Sequence, residues 1–335
     1  MSDLARDLDG LAADTGFSGV VRVDGPEGIK VVRAYGFADR AHAIPNEPDT
    51  QFGIASGTKS LTALVVMRLV EDGALDLSTT ARSVLGADLP LVDERVTVEH
   101  LLAHRSGIGD YLDEEIEVDL PEYPMPVPVQ QLATTEAYLG VLDGHPQKFA
   151  PGVRFAYCNS GYVLLALIAE RTAEMPFPDL VQDLVCMPAK MSDTAFLRSD
   201  ELPGRAAIGY TQVDGEWRTN VFHLPVRGSG DGGMYTTASD ITAFWQALFA
   251  GSIVRESTLA EMLRERSSAR PDRGYGLGFW LPAGGRAVRL HGGDTGVRFV
   301  TVHDPDRLLT WTLLANTDVS SRPMGERLDE ERVGS

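Results

Sequence analysis

Strand-like sequence lies at both ends of this chain and helical sequence in its middle, and that order restricts the fold more than any other feature. Near the start, Ser18-Gly-Val-Val-Arg-Val and Ile29-Lys-Val-Val-Arg-Ala are β-rich runs parted by Asp-Gly-Pro-Glu-Gly, the pattern of an antiparallel hairpin. Leu4, Leu8, Leu11 and Ala12 ahead of them recur at helical spacing, and a third short strand is expected near Gln51 to Ile54. From Gly57 the period changes. Leu61, Leu64, Val65 and Leu69 mark a helix that ends near Gly73, and Thr97 is placed to cap a short helix from Val98 to Ala103. Helical patterns follow at 130–143 and 161–174, while the acidic, proline-rich stretch 113–128 reads as an exposed loop. Thr237 with Asp240 resembles a capping box before a helix from Ile241 to Ala250, and strands are expected at 276–281, 287–291, 298–303 and 308–315. One sheet assembled from both ends and interrupted by a helical insertion accounts for this order, so the fold class is α/β (α+β). The expected division is a sheet domain of residues 1–75 and 205–335, a mainly helical domain of 76–204, and a site in the cleft between them. A chain of 335 residues is long enough for about two such units.

Three short motifs carry the chemistry. Only four of the 30 basic residues are lysines, which makes a lysine inside a motif less readily a coincidence. Lys59 follows Ser56 by three residues where strand gives way to helix, and positions i and i+3 share a helix face, so the amine reaches the hydroxyl. A serine attacks only when a neighbouring base takes its proton, and a lysine does so once burial or nearby positive charge lowers its pKa. With 19 serines and 4 lysines, about 0.2 such spacings are expected by chance. The plain alternative is a capping serine beside a solvated lysine, but Lys59 is flanked by Leu61, Leu64 and Val65. Tyr157 and Asn159 form the second motif. A phenol beside an ammonium loses its proton more easily and can act as general base, and an asparagine both donates and accepts; the alternative is a helix-capping asparagine with a packed tyrosine. The third is His291-Gly292-Gly293-Asp294. Its glycines let a ligand approach the backbone closely, and an N–H just after them can face the N–H of Ser56 across an oxyanion; a glycine-rich hairpin turn is the alternative.

Taken together, S-x-x-K at 56, Y-x-N at 157 and H-x-G at 291 resemble the serine β-lactamase and penicillin-binding-protein superfamily. The Y-x-N form is similar to its class C branch, which includes class C β-lactamases, D-alanyl-D-alanine carboxypeptidases, D-aminopeptidases and family VIII esterases. The stretch from Thr97 to Ile108, with Leu101-Leu102 and His104-Arg-Ser-Gly-Ile108, and the stretch from Gly232 to Asp240 resemble further family segments, and the likeness runs from about 15 to 318. It implies a β-lactamase/transpeptidase-like fold, an antiparallel sheet flanked by helices with a mainly helical inserted domain. It also implies that Ser56 is acylated, that Lys59 and Tyr157 handle its proton, and that Asn159 orients the substrate. His291, Gly292 and Gly293 would line the strand along which substrate lies, and the amides of Ser56 and Asp294 would form the oxyanion hole. The implied activity is that of a serine hydrolase acting through an acyl-enzyme, foremost an esterase or amidase. A D-amino-acid peptidase, a DD-carboxypeptidase and a β-lactamase are alternatives within the class. An acyltransferase and a penicillin sensor that keeps its acyl group lie outside it.

The third motif departs from the superfamily's K-T-G: an imidazole, neutral near pH 7, replaces the lysine, and no hydroxyl follows it. Asp294 adds negative charge beside the oxyanion site, offset only if Arg298 points inward. The expected substrates are therefore neutral esters, or amides and short peptides with a free amine, rather than penicillins. A net charge of −18 repels polyanions, which argues against nucleic acid and anionic lipid as partners. Two cysteines cannot build a disulfide framework, the start Met1-Ser-Asp-Leu has no basic segment followed by an apolar one, and no apolar run is long enough to span a membrane. A cytoplasmic location is expected. The seven histidines never form H-E-x-x-H, so neither a metal nor a cofactor is expected. No serine lies in G-x-S-x-G. Gly228-Ser-Gly-Asp-Gly-Gly233 fits G-x-G-x-x-G but sits behind Pro225 and well ahead of the next helix, which makes it a loop rather than a dinucleotide site.

Overall fold

The computed structural model describes residues 3–116, 125–270, 273–283 and 285–334. The chain opens with helix α1 (Asp3–Thr15), whose Leu4, Ala5, Leu8 and Ala12 turn inward at intervals of three to four. The hairpin of β1 (Gly19–Gly25) and β2 (Gly28–Tyr35) follows, then a two-residue strand β3 (Phe52–Gly53) and helix α2 (Thr58–Glu71). The middle contributes α3 (Val98–Leu102) and α4 (Asn159–Ala173). Strand β4 (Tyr235–Thr236) pairs with β3 and leads into α5 (Ala238–Phe249). Six more strands complete the sheet, the first five being β5 (Ser267–Arg270), β6 (Arg273–Tyr275), β7 (Trp280–Pro282), β8 (Val288–Asp294) and β9 (Val297–Asp304). They are followed by β10 (Leu309–Ala315) and helix α6 (Arg322–Gly334).

The sheet has eight strands in the order β2-β1-β10-β9-β8-β7-β6-β5, and every pairing in it is antiparallel. The two ends of the chain meet at its middle, where Gly19 to Asp24 of β1 lie opposite Ala315 to Thr310 of β10. All seven residues of β10 are buried, because helices cover both faces. The side-chain alternation sorts them into two cores. Val21, Val23, Trp311 and Leu313 pack under α1 and α6. Val20, Phe299 and Leu314 face α2, α4 and α5, in a core continuous with Leu64 and Leu165. Each fully buried side chain of this size is worth roughly 1.5–3 kcal/mol of removal from water. α2 and α4 are buried on nearly every side along their first ten residues and pack against each other. Such all-round burial is what a helix inside the molecule requires of its sequence.

Several expectations hold locally. Thr97 accepts from His100 N at 3.2 Å, and the imidazole of His100 accepts from Thr97 N at 3.2 Å, closing a reciprocal cap. Others are corrected. The helix expected at 130–143 is broken into 3-10 turns at Val129–Gln131 and Thr135–Tyr138 and one helical turn at Leu139–Leu142. Thr134 caps afresh there by accepting from Ala137 N, and Tyr138 anchors the segment through a 2.7 Å bond to Arg227 O. Of the strand expected at 276–281 only 280–281 belong to one, β7; residues 276–279 form a turn between β6 and β7, closed by Gly276 N donating to Phe279 O and bent by Gly278 at φ +87°. The cap of α5 is only half a box: Asp240 N donates to Thr237, but the Asp240 carboxylate accepts from Asp193 N and Thr194 Oγ1. Half of the loop expected at 113–128, residues 117–124, lies outside the described residues.

Candidate active site

Ser56 sits in a 3-10 turn, Ala55–Gly57, between β3 and α2. The turn is tight enough to force Ala55 into the left-handed region at φ +43°, a strain on the order of 1 kcal/mol for a residue with a Cβ. Surrounding bonds hold it there. Thr58 Oγ1 donates to Ala55 O at 2.8 Å, Gly57 N to Ile54 O at 2.9 Å, and Ile54 N to Met234 O at 2.9 Å. The serine hydroxyl faces the cleft.

One turn on, Lys59 is only 2% exposed. Its Nζ donates to Ser56 Oγ at 3.0 Å, Asn159 Oδ1 at 2.8 Å and Asp231 O at 2.6 Å. Three acceptors meet the three hydrogens of an ammonium, so the charge is buried but fully bonded. Asn159 is the first residue of α4; its Nδ2 donates to Leu112 O at 3.0 Å and lies 3.4 Å from Glu114 Oε1. The N-terminus of α4 is held by Asp110, whose two oxygens accept from Asn159 N and Ser160 N, each at 2.8 Å. Burial pushes the Asp110 carboxyl up to about 6 in spite of those two bonds.

Tyr157 is hydrogen-bonded to Ser56, and its ring lies 5.0 Å from Lys59 Nζ. The expected lowering of its pKa is not what the surroundings produce. Loss of water and the negative charge of Glu114 raise the phenol well above its ordinary value, and the Ser56 bond only partly opposes them. The resting group is a neutral phenol. Residues the motifs did not single out hold it in place. Its ring lies between Trp280, stacked at 6.1 Å, and His104 at 4.3 Å. His104 also fixes the backbone on either side: its carbonyl accepts from Ala156 N at 2.9 Å and its Nδ1 from Cys158 N at 3.1 Å. That second bond puts the imidazole proton on Nε2, which is buried with no hydrogen-bond partner among the described residues. Burial and the Lys59 charge keep this imidazole neutral. His104 lies in one of the segments noted for its resemblance, but nothing in its spacing betrayed its contact with Tyr157.

On the opposite wall β8 alternates. His291 and Gly293 are exposed to the cleft, and Gly292 is buried against the turn of Ser56. A Cβ on Gly292 would lie 2.0 Å from Ile54 O, so only glycine lets the strand approach the turn this closely. At Gly293 the nearest atom to an added Cβ is Arg298 Nη1, an ordinary 3.7 Å away. Asp294 has its carboxyl pushed up to about 6 by burial and by the charge of Asp231, against the opposing pull of Thr295 N, Arg298 and Lys59. Arg298 does point inward. It donates to Asp294 O at 2.7 Å and Val297 O at 2.8 Å and lies 3.6 Å from Asp318.

The G-x-G-x-x-G segment is a loop, as expected, but it completes the site. Asp231 supplies the carbonyl that Lys59 binds, and its carboxylate accepts from Tyr111 Oη at 2.5 Å. Thr62 Oγ1 donates to Gly230 O at 2.6 Å, and a Cβ on Gly230 would meet Tyr162 O at 2.3 Å, so the loop is pressed between α2 and α4. All eight residues singled out from the three motifs therefore gather around one cleft, whose lining also includes Tyr111, Glu114 and Asp231. Among the described residues, no three His, Cys, Asp or Glu side chains group as a metal site, and no helix is long and apolar enough to cross a membrane. Both cysteines are buried and free.

Comparison with known proteins bears on this geometry. A family model described as Beta-lactamase matches residues 4–333. The chain is 30% identical to Esterase EstB of Burkholderia gladioli, over 74% of this chain and 70% of that protein. Among solved structures, a penicillin binding protein from Bacillus halodurans superposes with a TM-score of 0.88 at 36% identity, covering 93% of this chain and 96% of that one. The D-amino acid amidase of Ochrobactrum anthropi SV3, complexed with L-phenylalanine amide, superposes with a TM-score of 0.80 at 26% identity, covering 98% and 97%. The chain spans about two thirds of the length of its first curated relatives, 66% to 70%. With its antiparallel sheet, its flanking helices and a family match along nearly its whole length, the chain belongs to the Beta-lactamase family and is a hydrolase of that fold.

Proposed function

We propose that the protein hydrolyses small esters or amides, neutral or amine-bearing, through an acyl group carried on Ser56. The observation that carries this reading is the position of Ser56 Oγ, 3.0 Å from Lys59 Nζ and hydrogen-bonded to Tyr157. The hydroxyl attacks the substrate carbonyl, its proton passes to the Tyr157 oxygen as the phenol's own proton leaves for the substrate, and the Lys59 ammonium offsets the charge that develops along this relay. The N–H groups of Ser56 and Asp294 receive the developing oxyanion. Tyr157, neutral at rest, protonates the leaving atom as the acyl bond to nitrogen or oxygen breaks. Water then attacks the acyl-enzyme by the reverse proton path and frees Ser56. The esterase and the amidase among the similar proteins support ester and amide substrates.

The test is covalent labelling with a fluorophosphonate probe, read beside steady-state turnover of p-nitrophenyl butyrate. Wild-type protein is expected to take one label and turn over steadily. Ser56→Ala is expected to take none and to lose about 10⁴-fold or more in turnover while keeping its melting profile. Persistent labelling of the variant refutes the assignment, and a single burst without turnover refutes hydrolysis.

A further inference from the structure

Tyr157 stands on a piece of chain with no regular structure. Residues 154–158 belong to neither helix nor strand, so no ladder and no helical turn fixes its backbone. The amides on either side of it, those of Ala156 and Cys158, both donate to one residue, His104: to its carbonyl at 2.9 Å and to its Nδ1 at 3.1 Å. The next two amides, of Asn159 and Ser160, donate to the carboxylate of Asp110. The stretch from His104 to Asp110 therefore carries the segment from Ala156 to Ser160, and His104 is the part of it that borders the phenol.

The fold alone does not favour a histidine there. His104 follows Ala103, the C-cap of α3, and its backbone is left-handed at φ +54°. Glycine is the usual residue at that place in a helix end, with asparagine next, because most side chains are strained in this conformation. The imidazole is buried, and its Nε2 has no hydrogen-bond partner among the described residues. A buried N–H without a partner is a cost that an apolar side chain would avoid. Strained backbone and a stranded donor thus coincide at one position, and such departures gather where a site holds a group in place.

The imidazole supplies one acceptor for Cys158 N and one ring face against Tyr157, with centroids 4.3 Å apart. It is itself held. Tyr162 and Tyr275 each pack 4.9 Å from it, their hydroxyls lie 3.2 Å apart, and Tyr162 Oη donates to Leu102 O at 2.8 Å. Tyr162 belongs to α4, so the ring is fixed to the same helix that begins with Asn159.

We propose that His104 is a positioning residue for acyl transfer at Ser56. Through its carbonyl, its Nδ1 and its ring it sets where the Tyr157 hydroxyl stands relative to Ser56 Oγ, and it lines neither hollow that meets at the serine. A proton passes between those two oxygens only within hydrogen-bond reach, and a displacement of about 1 Å lowers the rate on the order of 10²-fold. The proposal rests on the reading of Tyr157 as the group that exchanges a proton with Ser56.

The test is a double-mutant cycle read by steady-state turnover of p-nitrophenyl butyrate. His104→Gly suits the left-handed backbone and keeps the carbonyl bond but removes the imidazole. It is expected to lower kcat by about 10²-fold and to leave KM within about twofold. His104→Asn, whose amide oxygen can stand where Nδ1 does, is expected to regain about tenfold of that loss. Both changes are then repeated in Tyr157→Phe, where no hydroxyl remains to be placed, and there each is expected to alter kcat by less than about twofold. A histidine needed only for folding lowers activity by the same factor with or without the hydroxyl. Equal factors in the two backgrounds overturn the proposal. So does a glycine variant with wild-type kcat, or an asparagine variant no better than glycine. If the melting profile shows that the glycine variant does not fold, the asparagine variant carries the cycle alone. Wild-type turnover by Tyr157→Phe overturns instead the reading on which it rests, and the proposal with it.

Discussion

On the helical wall of the cleft, Lys59, Asn159 and Tyr157 are each held by several contacts at once: three bonds on the ammonium, two helices packed without exposed faces, and rings on both sides of the phenol. The strand wall is held mainly through its backbone. Gly292 lets β8 touch the Ser56 turn, while His291 and Gly293 project into open space. Groups that must move a proton need fixed distances, and packing in the interior supplies them. Groups that select a substrate lie on a surface where side chains can change without disturbing the core. The difference accounts for K-T-G being replaced by H-G-G on one wall while the serine, lysine, tyrosine and asparagine stand unaltered on the other.

The comparison is broken most directly from the helical side. Lys59→Ala is expected to lower kcat/KM by about 10³-fold, and Tyr157→Phe by a similar factor, because each removes one member of a single proton-handling unit. Steady-state kinetics with p-nitrophenyl butyrate checks this, and either variant within threefold of wild type would remove that residue from the unit.

On the strand side the two neighbouring glycines are expected to part company. Gly292→Ala drives a Cβ into Ile54 O and should cost about 3 kcal/mol of stability, whereas Gly293→Ala meets only an arginine tip and should stay within about 0.5 kcal/mol. Urea unfolding measures both. Similar losses at the two positions would mean that β8 does not approach the turn as described.

The smallest effect sharpens the electrostatic side of the contrast. The Asp294 carboxyl is raised in the folded protein to about 6, from an ordinary value of 3.8. The folded state therefore binds more protons than the unfolded chain between those values, and the charged carboxylate is a cost that grows as pH rises toward 6 and persists above it. Asp231, Arg298, Lys59 and the Thr295 N–H are the groups facing it. Asp294→Asn is expected to stabilise the protein by up to about 2 kcal/mol at pH 8 and by little at pH 4, with thermal melts at the two pH values as the check. The opposite sign would mean that the carboxylate is paired rather than stranded.

Much of this was legible without coordinates. The hairpin at Ser18 to Ala34, the helix after Gly57 and the late strands follow from local period, since alternation or a 3.6-residue repeat is written into neighbouring residues. Ser56 with Lys59 was legible for the same reason, one helical turn being the only geometry needed to join them. The break at 130–143 was not, because it depends on where Tyr138 finds its partner, Arg227, some ninety positions away. The glycine stretch was legible as a loop, yet its part in the cleft stayed hidden, because a carbonyl on Asp231 has no signature of its own in the sequence.

Residue type and spacing thus settled the sheet built from both chain ends and the serine–lysine pair, and the resemblance implied that the other two motifs join them in one cleft. The tertiary structure decided the rest: that Tyr157 rests as a neutral phenol, that His104 and Trp280 hold its ring, and that the Asp231 carbonyl meets the Lys59 ammonium. Proton affinity depends on water lost and on charges brought near from distant parts of the chain, and those are properties of the packed molecule.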